Sequence, residues 1–241
     1  MEVASLEKLV RRTLVQNRNA LNAANYERYF KHVIKFYGIK TPRLNELFRQ
    51  LYHETISDID VPSRIDLAYR LFEAKVAEEK KLAISILLRN VKHLTKQHIP
   101  KFARVIDSHV YDWATCDGLA GRVIGRMIKR DADIAGRVHP WRKARDLWRQ
   151  RASCVAFVGV ARFGELNDTI IDICSTCIRN QERFVQLGAG WVLRELSLAD
   201  RDLVVDFIKS NYDHFSREGL RYAIEKMTPT LREQLMQHGG T

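Results

Sequence analysis

Tryptophan and aspartate four positions apart put an indole and a carboxylate on one face of a helix. The stretch Tyr111-Asp112-Trp113-Ala114-Thr115-Cys116-Asp117-Gly118-Leu119-Ala120-Gly121-Arg122 holds such a pair in Trp113 and Asp117. Gly121 and Gly125 continue the helix without side chains, each at a cost of ~1 kcal/mol relative to alanine, which implies a close neighbour. Arg122, Arg126 and Lys129 run along it as a cationic stripe. A ring beside a carboxylate, flanked by positive charge, suits a site that binds a cation or a developing carbocation next to a polyanion. The same residues also fit a plain helix with a core tryptophan and a solvated or locally paired aspartate.

Two further constellations are of this kind. In Gly188-Ala189-Gly190-Trp191-Val192-Leu193-Arg194-Glu195-Leu196, Trp191 precedes Arg194 by one helical turn and Glu195 by i+4 spacing. This is either a buried tryptophan or a second aromatic wall of one pocket. The run Trp141–Arg151 carries Arg142, Lys143, Arg145, Arg149 and Arg151 against the single acid Asp146, with Trp141 and Trp148 at i and i+7. Basic residues interleaved with aromatics on one helix face suit a phosphate backbone; a solvated face is the plainer alternative. Cys174-Ser175-Thr176-Cys177 lacks a second cysteine pair or a histidine pair for zinc and a βαβ setting for redox work, so packing is expected of it. The histidines show no ligand spacing, and no phosphate-binding glycine loop, Ser-His-Asp pattern or kinase motif is present.

The composition frames these candidates. The chain has 241 residues, 46% hydrophobic and 29% charged, with 12 glycines and 5 prolines, too few for a protein built of tight β-turns. Lys and Arg number 40 against 29 Asp and Glu, a formal charge of +11, which favours a nucleic-acid partner over a membrane surface. The four cysteines fall in apolar helical patterns. The start, Met1-Glu2-Val3-Ala4-Ser5-Leu6-Glu7-Lys8, does not read as a signal peptide, and no apolar run reaches the ~20 residues of a membrane span. A soluble, reduced, intracellular protein is expected, cytoplasmic (nucleoid-associated) or nuclear.

Apolar spacing predicts helices almost throughout: Ser5–Arg18, Tyr26–Phe36 behind an Asn25 cap and stopped by Gly38, and another from Thr41-Pro42 with Thr41 as cap. Further helices follow from Pro62, over Glu78–Lys92 and over Gln97–Ser108. The Trp113 helix comes next, then a connector at 131–139 and the Trp141–Arg151 run, with a kink allowed before Ala152–Phe163. Asp168–Arg179, Glu182–Ser197, Asp200–Asn211, Ser216–Met227 and Pro229–Gln237 complete the set, and the Gly239-Gly240-Thr241 tail is expected to fray. Helix pairs recurring every ~35–45 residues are in the HEAT range. The expected architecture is all-α, one α-solenoid domain over residues 1–241 with a concave basic face; a compact helical bundle fits the periodicity equally.

Several of these segments resemble the DNA alkylation repair family of HEAT-like glycosylases. Tyr29 to Pro42 is similar to its Tyr-x-Lys…Gly-Ile-x-(Ser/Thr)-Pro element, Trp113-x-x-x-Asp117 to its catalytic pair, Trp148-x-x-Arg151 to its Trp-x-x-Arg element, and Gly190 to Glu195 to its Gly-Trp-Val-Leu-Arg-Glu signature. The resemblance implies excision of cationic alkylpurines, 3-methyladenine and 7-methylguanine, from duplex DNA without full extrusion of the base. It also implies a catalytic carboxylate at Asp117, and Trp113 and Trp191 bordering the deoxyribose. DNA contacts would come from Tyr29, Lys31, Arg149, Arg151 and Arg194. No cofactor and no metal are implied, and a monomer on double-stranded DNA is expected. Asp112, next to the catalytic tryptophan, stands where the family can carry an aromatic, and Leu187-Gly188-Ala189 replaces a bulkier lead-in to Trp191. Two other functions fit the residues: a non-catalytic solenoid that binds bent or branched DNA, and a protein-binding helical scaffold.

Overall fold

The computed structural model describes residues 2–237; the Gly239-Gly240-Thr241 tail lies outside them. Among the described residues all regular structure is helical apart from one isolated parallel bridge, Lys35 with Val76. The all-α class expected from the periodicity is the observed one. The chain divides into two compact units, with the boundary between Gly118 and Leu119.

The first unit contains α1 (Val3–Gln16), α2 (Ala20–Tyr29), α3 (Thr41–Glu54), α4 (Val61–Glu73), α5 (Ala77–Arg89), α6 (Ile99–His109) and α7 (Trp113–Asp117). Leu6, Val10 and Leu14 form the buried stripe of α1, and Leu44, Leu47, Phe48 and Leu51 that of α3. Side-chain caps start several helices: Asn19 accepts the amide of Asn22, Asp60 that of Ser63 and Asp112 that of Thr115.

Two local expectations are corrected here. The second helix is Ala20–Tyr29, not Tyr26–Phe36: Asn19 caps it rather than Asn25, and it ends where Lys31 and His32 adopt positive φ (51° and 59°). Beyond that turn Ile34 is fully buried and Lys35 pairs with Val76, so Val33 to Phe36 are not helical. Lys40, not Thr41, is the cap position of α3, with Pro42 in its first turn.

Three consecutive charged residues at the start of α5 bind this unit together. Glu78, 1% exposed, accepts the backbone amides of Tyr37 (3.1 Å), Gly38 (2.9 Å) and Ile39 (3.1 Å). Gly38 has φ +83°, and a β-carbon there would lie 2.1 Å from the Asn19 carbonyl, so no other residue fits. Glu79 pairs with Arg11 of α1 at 2.9 Å and accepts the Tyr37 hydroxyl at 2.8 Å. Lys80, fully buried, donates to the carbonyls of Phe72 and His109 (2.6 Å for the latter), in the last turns of α4 and α6, and lies over the Tyr111 ring. Helix-end carbonyls lack intrahelical donors, and one ammonium supplies two of them.

The second unit begins inside a continuous helical stretch. The segment Gly118–Ile124 is π-helical, followed by α8 (Gly125–Arg130) and α9 (Asp133–Val138). Then come α10 (Leu147–Val155), α11 (Val158–Ala161), α12 (Asn167–Cys177), α13 (Arg183–Leu196), α14 (Arg201–Ser210), α15 (Arg217–Ala223) and α16 (Pro229–Gln237). The expected Trp141–Arg151 helix is not formed. His139–Lys143 is a 3-10 turn, and Asp146 caps a new helix by accepting the Arg149 amide at 2.8 Å. Trp141 and Trp148 therefore belong to different elements: Trp141 is buried, and Trp148 packs on Phe184 at 5.1 Å.

Glycines let α13 pack closely on both sides. A β-carbon on Gly188 would lie 3.2 Å from Arg151 Cγ of α10, and one on Gly190 would lie 2.6 Å from the Gly219 carbonyl of α15. Between them Gln186, fully buried, donates to the carbonyls of Asn180 (3.1 Å) and His214 (3.0 Å) and accepts the Ser216 amide (3.0 Å). The four cysteines are free and buried; the Cys154 thiol shares hydrogen bonds with the thiols of Cys174 and Cys177. Those contacts and burial hold the Cys154 and Cys177 thiols well above their ordinary pKa, so the Cys174–Cys177 pair is packing.

Lys80 makes the first unit testable. Replacing it with methionine strands two buried carbonyls and is expected to cost about 2–4 kcal/mol in denaturant unfolding. Burial lowers the Lys80 pKa from 10.5 to about 8, against the pull of Asp112 and Glu79. The unfolded chain then binds more protons between those values, so the Lys80 contribution to stability should rise with pH from about 8 to about 10.5. Unfolding of wild type and Lys80→Met across that range should show this rise in the wild type alone.

Candidate active site

Trp113 opens α7, and its place is set by the residue before it. Asp112, 4% exposed, accepts both the amide of Thr115 (2.9 Å) and its hydroxyl (2.7 Å). The Asp112 carboxylate is thus a helix cap, favoured further by the positive end of the helix. The Trp113 indole stays 37% exposed and stacks on Phe30, with centroids 5.8 Å apart and planes 18° apart. Phe30 is held in turn by Phe36 at 5.3 Å and by the edge of Tyr29 at 5.2 Å. Tyr29 is 71% exposed, and Lys31 beside it, also exposed, occupies the first of the two left-handed positions.

Asp117 closes α7 at i+4 from Trp113 and is partly buried. Both residues lie within the α-helical turn, so the shared face expected from their spacing is present. The helix does not continue as α beyond them. Gly118 abuts Ile84, whose Cδ1 would be 2.6 Å from a β-carbon there, and the backbone widens into the π segment. π-bulges concentrate at functional sites. The close approach expected at the later glycines is real: the Ala156 carbonyl is 3.0 Å from a β-carbon on Gly125, and Val155 Cγ1 is 3.2 Å from one on Gly121. Arg122, Arg126 and Lys129 are exposed, with Lys129 over the Phe163 ring at 4.9 Å.

In the second unit Trp191, half-buried on α13, stacks on Tyr222 with centroids 6.5 Å and planes 25° apart. The Arg194 guanidinium lies over the other partner of that stack, 4.7 Å from the Tyr222 centroid, and pairs with Glu195 (3.0 Å) and Glu225 (2.7 Å). Glu195, 4% exposed, also binds Arg162 at 2.8 Å and Lys226 at 2.9 Å. Burial alone would raise its pKa; hydrogen bonds from Arg162, Lys226 and Arg194 bring it down instead, to about 2.

Arg151 is 4% exposed and donates to the Phe184 carbonyl at 2.7 Å, with Gly188 leaving room for its stem. Arg149, on the same helix, is half-buried. Among the eight expected site residues, Trp113, Asp117, Tyr29 and Lys31 fall in the first unit, and Trp191, Arg194, Arg149 and Arg151 in the second. Reasoning from the sequence missed Phe30, which stacks on Trp113, Tyr222, which stacks on Trp191, Glu225, which pairs with Arg194, and Lys226, which pairs with Glu195. Phe30 stood inside a motif already noted; nothing in the sequence ties residues 222–226 to Trp191. Among the described residues no group of His, Cys, Asp and Glu could hold a metal ion, and no helix is long and apolar enough to cross a membrane.

Fold and charge together define an all-α, strongly basic protein. The family model for DNA alkylation repair enzymes matches residues 10–227, and the chain belongs to that family. DNA is the partner that membership implies. A solved structure described as a predicted DNA alkylation repair enzyme from Enterococcus faecalis shares the fold, with a TM-score of 0.77 over 88% of this chain and 98% of that one, at 19% identity. No curated protein matches the chain.

The Glu195 network is a direct target. Glu195→Gln keeps the shape and removes the charge from three cations, with an expected loss of about 2–4 kcal/mol at neutral pH. Because the folded carboxyl is held below its unfolded pKa of about 4.5, the stabilisation is complete above that pH and lost as pH falls toward 2. Acid unfolding of wild type should steepen through that interval, and the variant should not.

Proposed function

We propose that this protein is a DNA glycosylase that hydrolyses the N-glycosidic bond of cationic N3- or N7-alkylated purines in duplex DNA. The observation that carries the reading is the Trp113–Asp117 pair: a partly exposed indole and a partly buried carboxylate on one turn of α7, braced by the Asp112 cap and the Phe30 stack.

The chemistry asks little of the protein. An alkylated purine already carries positive charge and leaves without protonation. The C1′–N bond breaks with its electron pair passing to the ring, and the sugar becomes oxocarbenium-like, as in glycoside hydrolysis. A carboxylate at Asp117 stabilises that charge and orients the attacking water, an electrostatic role. An indole face favours adjacent cationic character by ~1–2 kcal/mol when desolvated. Trp191 is the second ring of the proposal, and Tyr29, Lys31, Arg149, Arg151 and Arg194 its DNA-contact residues, with the protein acting as a monomer. Arg122 and Arg126, both exposed, add candidates for phosphate contact.

Asp117→Asn should reduce release of 7-methylguanine from methylated duplex by 10²-fold or more, while DNA affinity changes less than threefold. Full activity in this variant removes the carboxylate from the mechanism. A wild type that binds DNA and releases no base would instead be the non-catalytic binder. Salt titrations separate the arginines: Arg126→Ala should reduce the slope of log K against log salt by about 1. Arg151→Ala should do the same only where its guanidinium reaches a phosphate as well as the Phe184 carbonyl; a pure loss of melting temperature makes it structural.

A further inference from the structure

Within the first unit a cavity of about 610 Å³ lies between α4, α6 and the short 3-10 turns that precede α6, and none of the residues assigned to glycosidic chemistry lines it. The volume falls in the range of small-ligand sites. Val61, Pro62 and Ile65, in the first turns of α4, give it one apolar wall. The opposite character comes from hydrogen-bond donors on separate elements: Tyr69 on α4, Gln97 and His98 on a turn, Lys101 on α6.

Tyr69 is the buried member of this set. It is 6% exposed, and among the described residues its hydroxyl, shielded from solvent, has no hydrogen-bond partner. A buried donor left unmet is costly, and native structures seldom keep one without a reason. Burial raises the Tyr69 pKa well above its ordinary value, so the phenol keeps its proton and is a donor. The Lys101 ammonium stands over the same ring, 3.7 Å from its centroid. His98 accepts the Thr95 amide on Nδ1 at 3.1 Å, which fixes the neutral tautomer and makes Nε2 its donor. Asp66, an acid on the cavity wall, is already paired with Arg70 at 2.8 Å, so little negative charge opposes these donors.

We propose that this cavity binds an organic phosphate monoester, its phosphate on Tyr69, His98 and Lys101 and its organic body on Val61, Pro62 and Ile65. A tetrahedral dianion suits donors that arrive from three elements better than a flat carboxylate does, because its three oxygens point in different directions. Lysine is a common phosphate binder that acts as a point charge on a flexible stem. Binding draws the Lys101 ammonium from the ring face onto the phosphate and uncovers the phenol, which then gains the acceptor it lacks. Two sources supply this chemistry to a protein whose family acts on DNA: a free mononucleotide, or the 5′-phosphate at the end of a strand.

The test uses the full chain and deoxyadenosine 5′-monophosphate, with deoxyadenosine as the neutral control. Isothermal titration calorimetry should show the monophosphate binding about tenfold more tightly or better. Tyr69→Phe removes only the unmet hydroxyl; its melting temperature should hold or rise, and its affinity for the monophosphate should fall about tenfold. Lys101→Met keeps the length of the stem and should also weaken the monophosphate about tenfold. Asp117→Asn should bind it as the wild type does, since Asp117 does not line the cavity. Equal affinity for nucleotide and nucleoside, full affinity in either folded cavity variant, or loss of binding in Asp117→Asn overturns the proposal. A marked fall in melting temperature for Tyr69→Phe does so too, because the hydroxyl would then be engaged by the fold. Duplexes with and without 5′-phosphates distinguish the sources. A preference for phosphorylated ends that Lys101→Met loses assigns the site to strand ends, and monophosphate binding without that preference assigns it to free nucleotides.

Discussion

The first unit depends on placing three charges at the start of one helix where no water reaches them. Burying a charge costs several kcal/mol unless it is satisfied, and Glu78, Glu79 and Lys80 are each satisfied by a different part of the chain. Glu78 binds the backbone that follows the left-handed turn at Lys31 and His32. Glu79 binds α1. Lys80 binds the ends of α4 and α6, three residues short of the Asp112 cap and four short of Trp113 in the second case. The segment after the strained turn that presents Tyr29 and the end of the helix before the Trp113 cap are thus anchored on Glu78 and Lys80, two residues apart on α5. Strain of this kind costs about 1–3 kcal/mol per residue and persists only where its surroundings over-determine it.

The second unit solves a similar problem with small residues. Gly188 and Gly190 bring α13 against α10 on one side and α15 on the other, close enough that backbone and arginine stem touch it. That proximity sets Trp191 against Tyr222 and fixes Arg194 above the same ring. Glu195, next in sequence, gathers Arg162, Arg194 and Lys226 around one carboxylate. The glycines preceding the tryptophan, which weaken the helix by ~1 kcal/mol each, are the condition for its close packing.

How far the sequence was legible follows from what each signal measures. Apolar spacing located nearly every helix, because a buried stripe is what the spacing records. It failed where a polar side chain decides the boundary: Asn19 and Asn25 are equally good caps on paper, and only burial of Ile34 and the Lys35–Val76 bridge choose between them. The Trp141–Arg151 run failed in the same way, since Asp146 reads as a lone acid among cations until it is seen capping α10. The π segment was visible and passed over. Leu119 and Ala120, Val123 and Ile124, Met127 and Ile128 are all buried and recur every four residues, a wider repeat than the 3.6 of an α-helix. Trp113 and Asp117 were candidates from spacing alone, while Phe30, Tyr222 and Lys226 became visible only through contacts between distant parts of the chain.

The carboxylates themselves separate by how they are held. Glu78, Glu79, Asp112 and Glu195 are at most 4% exposed, and each accepts two or more hydrogen bonds from the fold. Neutralising any of them strands donors, so their charge is committed to structure. Asp117 is only partly buried, and it closes α7 where the backbone changes from α to π geometry. Its backbone cannot drift, because Gly118 is pressed against Ile84 on one side and the Asp112 cap fixes the helix start on the other. In the proposed mechanism this acid, set beside the Trp113 indole, is the group assigned to electrostatic stabilisation as charge develops.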